Sequence, residues 1–357
     1  MKHIAYITLF SSFNLYAATC TNTQTGTANT HTNGGGTVYS TATVASTVFV
    51  GSTAVVCDQA SISGTAEIRD QAIVEGNARV SGSAQIYGSA RIYEDAIITD
   101  MAQAYGQAQV YGQSVLHNNA SISENARLYG TAMISDTAQV YGQAQVYGAA
   151  KLGDSANVYG QGKVYDNARV MYTAHVLGSA QVRGNSLVTE NAIVKGNTIV
   201  RGTSTVAGEA SVLDQNTTIS DAALVTGSTH TTGIVNIRGN SVVALEAEGL
   251  IEGNGATGVS IYGQSLVFGT PYIAGNVKIY GKSTVRDNSS VTDNAEIYGE
   301  SSIEDHSEIA GSAKVYGQAV IYEAAIIDGS AQVYGTSVVR GDAHISTGTH
   351  DSVLIAH

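Results

Sequence analysis

Every sixth residue of this chain is a branched aliphatic. From Val38 in steps of six, through Val44, Val50, Val56 and Ile62 to Val212, 29 of 30 positions are Val, Ile or Leu, and Ala104 is the exception. A second run starts at Ile261 and continues through Val267, Ile273 and Ile279 to Ile345, with Val or Ile at all 15 positions. A period this strict predicts one structural unit copied along an axis, so the expected fold is an elongated solenoid. At 357 residues the chain has the length of two globular domains, but the repeat overrides that prior because each unit packs only on its neighbours.

The hexad reads Ala-x-Val-x-Gly-x. Alternation puts the small residue and the aliphatic inside and the two residues beside the aliphatic outside. Gly supplies a backbone able to take positive φ at a corner. Where Gly is missing the residue is mostly Asp, Glu or Asn, as at Asp58, Asp70, Glu94, Asp100 and Asn118. Asn and Asp tolerate that conformation best after Gly; Glu is less easily explained. Forty glycines, one proline and no tryptophan suit a turn-dense β protein.

A second period counts the hexads in a coil. Tyr follows the aliphatic at 93, 111, 129, 147 and 165, and again at 87, 105, 141 and 159 with Ser123 as a gap. Tyr262, Tyr280, Tyr298, Tyr316 and Tyr334 keep the same spacing of 18. Side chains sharing a face covary at the coil length, so three hexads make one coil of triangular section. The 45 core positions then give 15 coils and a rod roughly 70 Å long at ~4.8 Å per strand step. The segments Val110-Tyr111-Gly112-Gln113-Ser114-Val115 and Val140-Tyr141-Gly142-Gln143-Ala144-Gln145 resemble the hexapeptide-repeat family of left-handed parallel β-helices. The resemblance covers most of residues 37–346 and implies an all-β, single-stranded left-handed parallel β-helix with 18 residues per coil. The left hand comes from the resemblance alone. Gly sits one place later than in the commonest family pattern.

The expected organisation is a signal peptide at 1–18, a Thr/Asn/Gly-rich linker or cap at 19–36, β-helix blocks at 37–225 and 259–346, an irregular interruption at 226–258 that absorbs a one-residue register shift, and a tail at 347–357. Lys2 followed by the short apolar stretch Ile4 to Leu15 and the small pair Ala17-Ala18 reads as an export signal; a buried first strand is the competing reading. Export makes the periplasm, the medium or the bacterial cell surface the expected location. In an oxidising compartment Cys20 and Cys57 can form a disulfide; two free thiols are the alternative. A net charge of −12 argues against nucleic acid and anionic membrane as partners. No other apolar stretch approaches the ~20 residues of a membrane span.

The resemblance implies either a trimeric acyltransferase, with a catalytic His near an extruded loop and a cofactor between subunits, or a smaller branch binding zinc through three His. The sequence favours neither, and no cofactor is expected. Metal sites need three or four converging ligands, and the histidines are scattered. His230, Glu246, Glu248 and Glu252 in the interruption are the acid–base candidates of an acyltransferase-like alternative, against the plain reading of a coil that absorbs a shift. Asp100, Asp136 and Asp154 share a corner with Asn118, where Ca²⁺ would relieve repulsion; Asp and Asn simply replacing Gly there is the competing explanation.

The tyrosines are the sharper feature. Tyr93, Tyr111, Tyr129, Tyr147 and Tyr165 stand beside Arg91, Gln109, Arg127, Gln145 and Lys163, and Tyr87, Tyr105, Tyr141 and Tyr159 beside Gln85, Gln103, Gln139 and Asn157. Aromatic tracks edged with amide and guanidinium groups suit polysaccharide or a surface protein, although stacked Tyr also serve purely to stabilise a sheet, by roughly 0.2–1 kcal/mol per pair. Ice binding would want Thr ladders. On the remaining face Ile97, Val115 and Met133 form an apolar patch suited to self-association. The expectation is an exported structural or adhesive rod rather than an enzyme.

Overall fold

The computed structural model describes residues 19–20, 26–212, 216–247, 249–254 and 257–356; the expected signal peptide at 1–18 lies outside them. The described chain is all-β and winds into a left-handed parallel β-helix of about 17 coils with about 18 residues per coil and three stacked sheets. At ~4.8 Å per step the rod is roughly 80 Å long. We name the faces by residues that mark them: the Tyr93 face (strands such as Arg91–Ile92), the Ile97 face (Ile97–Ile98) and the Tyr87 face (Gln85–Ile86).

Most strands are two residues long, yet the ladder extends beyond them. On the Tyr87 face, Gln85 N–H donates to Ala102 O, Tyr87 N–H to Ala104 O, and Ser89 N–H to Gly106 O. Alternate residues therefore bond along the axis, while Ile86 and Ala90 point inward and are fully buried. The core is a single column of stacked aliphatics and alanines from Val48 to Ile345. Ala104, the break in the sequence pattern, is buried between Ile86 and Ile122 in register. Ser replaces Ala at several small positions without cost because its hydroxyl turns back to the preceding corner: Ser114 Oγ donates to Tyr111 O at 2.8 Å.

At the N-terminal end, Ala28–Thr30 pairs antiparallel with Thr37–Tyr39, and this hairpin covers the first coil. A disulfide joins Cys20 to Cys57, with Cα atoms 6.5 Å apart.

The described part of the segment 226–258, expected to be irregular, is instead wound into the helix with its longest strands. Leu224–Gly227, Val242–Leu245 and Leu266–Gly269 pair in continuous parallel register, as do His230–Gly233, Leu250–Gly253 and Tyr272–Ala274. This adds coils to the expected fifteen. The one-residue register shift lies upstream of it: Val200 pairs with Ile219 instead of residue 218, so the extra residue falls between Val212 and Ile219. The segment itself carries six extra residues, because Ile237 pairs with Ile261 and Val243 with Val267. Two sit at the corner between Val243 and Ile251 and four between Ile251 and Ile261, a whole hexad that leaves the register unchanged. The second corner closes on Gly253 and Gly258, which press against the backbone of Ile234; a Cβ at either would stand 1.9 Å from Ile234 O.

Candidate functional site

The register places all ten tyrosines of the two five-membered series on one face. Tyr93, Tyr111, Tyr129, Tyr147 and Tyr165 follow the core residues Ile92, Val110, Leu128, Val146 and Val164 of a single sheet, and Tyr262, Tyr280, Tyr298, Tyr316 and Tyr334 follow Ile261, Ile279, Ile297, Val315 and Val333 of the same sheet. Ring centroids are 4.7–4.9 Å apart in both series, with interplanar angles of 1–8°. Parallel rings so close must lie face against face. Each ladder thus shows solvent its ring edges and hydroxyls, and full ring faces only at its ends.

Guanidinium groups stand at three of those four ends. Arg91 lies 5.3 Å from the Tyr93 centroid, Arg183 lies 6.0 Å from Tyr165, and Arg238 lies 4.6 Å from Tyr262. Arg91 also forms an ion pair with Glu75, which is almost fully buried. Beside the first ladder, Arg127, Gln145 and Lys163 together with the corner residues Asn125, Gln143 and Gln161 line a groove of about 520 Å³. Tyr129 Oη donates to Gln145 Oε1 at 3.3 Å and Tyr165 Oη to Gln181 Oε1 at 3.0 Å, so the amides fix the phenols. Partial burial pushes the phenols of Tyr93, Tyr147 and Tyr280 up to about 12, with neighbouring Tyr and acidic charges adding to it.

On the Tyr87 face the ladder is shorter. Tyr87 stacks on Tyr105 at 4.8 Å, Ser123 interrupts, and Tyr141 stacks on Tyr159 at 4.9 Å. His175 meets the Tyr159 ring edge-on at 6.1 Å. On the Ile97 face, Ile97, Val115 and Met133 are successive register partners, each half-buried. A groove of about 830 Å³ runs beside Ile97, lined mainly by Gln59, Asn77, Arg79, Asp95 and Gln113.

The acid–base candidates of the enzyme alternative are not brought together. His230 lies on the Tyr87 face opposite Leu250 in register, and Glu252 accepts from Tyr272 Oη at 3.3 Å. Glu246 occupies the corner after Leu245, and Glu248 lies outside the described residues. Among the described residues no hydrogen bond or ion pair joins His230 to Glu246 or Glu252.

The corner carboxylates have a role that the sequence pattern does not display. Asp100 Oδ2 accepts the backbone N–H of Asn118 at 3.1 Å, Asp136 Oδ2 that of Asp154 at 3.1 Å, and Asp154 Oδ2 that of Tyr172 at 2.9 Å. Glu94 does the same for Gly112 and Glu190 for Gly208. These residues all have positive φ, for example 59° at Asp136 and 57° at Glu94. The corner N–H points outside the ladder, and the carboxylate one coil earlier satisfies it. The same device accounts for Glu at a corner, because its longer side chain still reaches the next coil. Asp100, Asp136 and Asp154 are therefore engaged with backbone donors rather than converging on a cation site. Among the described residues only Cys20, Cys57 and Glu75 bring three ligand-type atoms within 4.8 Å of one another, and both sulfurs there belong to the disulfide.

No known protein-family model matches the chain, and no curated protein matches it.

Proposed function

We propose that the chain is an exported, non-enzymatic member of the hexapeptide-repeat β-helices, and that its Tyr-rich faces form an adhesive track for polysaccharide. The observation that carries this reading is the alignment of two five-tyrosine ladders on one face, beside a groove of amide and basic groups. Sugars require many hydrogen-bonding partners together with apolar contact, and a row of phenol edges beside Gln, Asn, Arg and Lys supplies both. The repeat along the rod suits a polymer, because successive units of a glycan would meet successive coils. A disulfide between Cys20 and Cys57 fits an oxidising compartment such as the periplasm or the cell surface. The acyltransferase-like alternative lacks a comparable argument, since its candidate His and Glu residues do not converge.

A glycan array probed with the tagged protein tests the reading, followed by the variant Tyr111→Ala/Tyr129→Ala/Tyr147→Ala. Loss of retention on the positive glycans with the β-sheet spectrum intact is the expected outcome; unchanged retention refutes it. Self-association through Ile97, Val115 and Met133 is a separate part of the proposal. A mass measurement that finds only monomer at high concentration rejects that part.

A further inference from the structure

The column that carries the tyrosines of the Tyr93 face does not stop between the two ladders. Following the register from Val164 to Ile261, the position after each core aliphatic is occupied in turn by Tyr165, Arg183, Arg201, Ser220, Arg238 and Tyr262. The guanidinium carbons of Arg183 and Arg238 lie 6.0 Å and 4.6 Å from the centroids of the terminal rings Tyr165 and Tyr262, so each ladder gives way to an arginine at this stretch. Ser220 is the one short, buried side chain in this stretch. It leaves a cavity of about 300 Å³ lined by Arg201, Thr218, Ser220, Asn236, Arg238 and Ser260.

Some basic groups elsewhere on this face meet carboxylates: Arg91 pairs with Glu75, and Lys278 and Lys314 both pair with Glu296. Among the described residues no carboxylate stands within ion-pair distance of Arg183, Arg201 or Arg238. The Oδ2 of Asp221, next to Ser220 in the chain, instead accepts the Gly239 N–H at 3.1 Å. Arg201 and Arg238 are two strand steps apart, roughly 10 Å, which leaves room between them for one small anion. A guanidinium is a flat fork of donors that matches a carboxylate or sulfate in two-point geometry. Thr218, Asn236 and Ser260 add hydroxyl and amide groups on the upstream side, where the ring hydroxyls of a sugar would lie.

We propose that the gap at Ser220 binds the anionic substituent, a carboxylate or a sulfate, of an acidic polysaccharide lying along the Tyr93 face. This deepens the reading of that face as a polysaccharide track and rests on it. It also gives a chain of net charge −12 a local reason to hold a polyanion, one that weakens as salt screens the contact.

Affinity electrophoresis of the full-length protein through gels carrying polygalacturonate, dextran sulfate or neutral dextran tests it. The wild type should be retarded more by an acidic polymer than by dextran, and the two acidic gels separate carboxylate from sulfate. Arg201→Ala/Arg238→Ala should weaken acidic retardation by about tenfold or more and dextran retardation by much less. Arg201→Lys/Arg238→Lys should restore only part, because a lysine lacks the fork. Equal retardation of the wild type by acidic and neutral polymers overturns the inference and leaves the track standing. So does an alanine variant that binds the acidic polymers as the wild type does. If Tyr111→Ala/Tyr129→Ala/Tyr147→Ala alters no retardation while the arginine variant abolishes the acidic one, the track falls and the arginine site is upheld. A wild type retarded by none of the three overturns both.

Discussion

The carboxylate of Asp136 accepts a hydrogen bond from the backbone N–H of Asp154, one coil further along, at 3.1 Å. This single contact states the rule of the corners: a residue in the left-handed region turns the chain, and its side chain satisfies the next corner's orphan donor. Asp136 also accepts from Ser135 Oγ and Asn118 Nδ2. Together these bonds hold its carboxyl below the usual Asp range, the backbone donor of Asp154 contributing most.

A depressed carboxyl binds its proton less readily in the folded state than in the unfolded chain. The stability it provides is therefore present above the unfolded value near pH 4 and is lost as pH falls through the lower folded value. Asp136→Asn keeps the shape and the tolerance of positive φ but removes the charge. The wild type should have the higher thermal midpoint at neutral pH, and the difference should vanish in strong acid. A difference independent of pH would contradict the corner account.

Gly112 separates the two parts of that rule. Its φ is +75°, and a Cβ placed there would stand 2.8 Å from both N and O of Gly130. Gly112→Ala brings this strain with no return, about 1–2 kcal/mol. Gly112→Asp brings the same Cβ but can cap the Gly130 N–H, as Asp136 caps Asp154. The aspartate variant should be the more stable of the two by about 1 kcal/mol in urea unfolding, although it is the larger change. Alanine tolerated better than aspartate would show that the carboxylate bonds do not stabilise the corners.

Thr231 occupies a core position between Val212 and Ile251, fully buried, and its hydroxyl has no hydrogen-bond partner among the described residues. Removing an unsatisfied buried hydroxyl from an apolar column should stabilise. Thr231→Val is expected to gain about 1 kcal/mol in the same assay. A loss would mean that the hydroxyl is satisfied in solution, by a buried water for example.

The ladders make their own pH prediction. Tyr93, Tyr147 and Tyr280 are held at about 12 by burial and by neighbouring charges, so the folded rod keeps phenolic protons that the unfolded chain releases near pH 10. Stability from this source is complete below pH 10 and declines as pH rises from about 10 to about 12. Tyrosinate absorbance should show a fraction of the rings titrating late, followed by loss of the β-sheet spectrum. A single step near pH 10 with the fold intact would contradict the stacking.

The residues that carry the column were legible in the sequence for a simple reason: in a solenoid the core period and the coil period are both periods of the chain. Val110, Val140 and Ile297 are buried, and Tyr93 and Tyr111 are stacked neighbours one coil apart, because spacing along the chain becomes spacing along the axis. The arginine column was not legible for the converse reason. One extra residue between Val212 and Ile219 carries Ser220 and Arg238 out of the spacing of 18 that connects Arg183 to Arg201. The interruption misled in the same way. Gly249 and Gly255 fall where aliphatics are due, but the core passes through Ile251, two places later. Carboxylate caps depend on where a backbone N–H points, which no spacing encodes.

The most direct measurement of the proposed track is titration calorimetry with a length series of one oligosaccharide taken from the glycan-array hits. A track that follows the rod predicts affinity rising with each added sugar until the ligand spans a five-tyrosine ladder, and the gain lost in Tyr111→Ala/Tyr129→Ala/Tyr147→Ala. An affinity already complete at two or three sugars, or equal in wild type and variant, would contradict it.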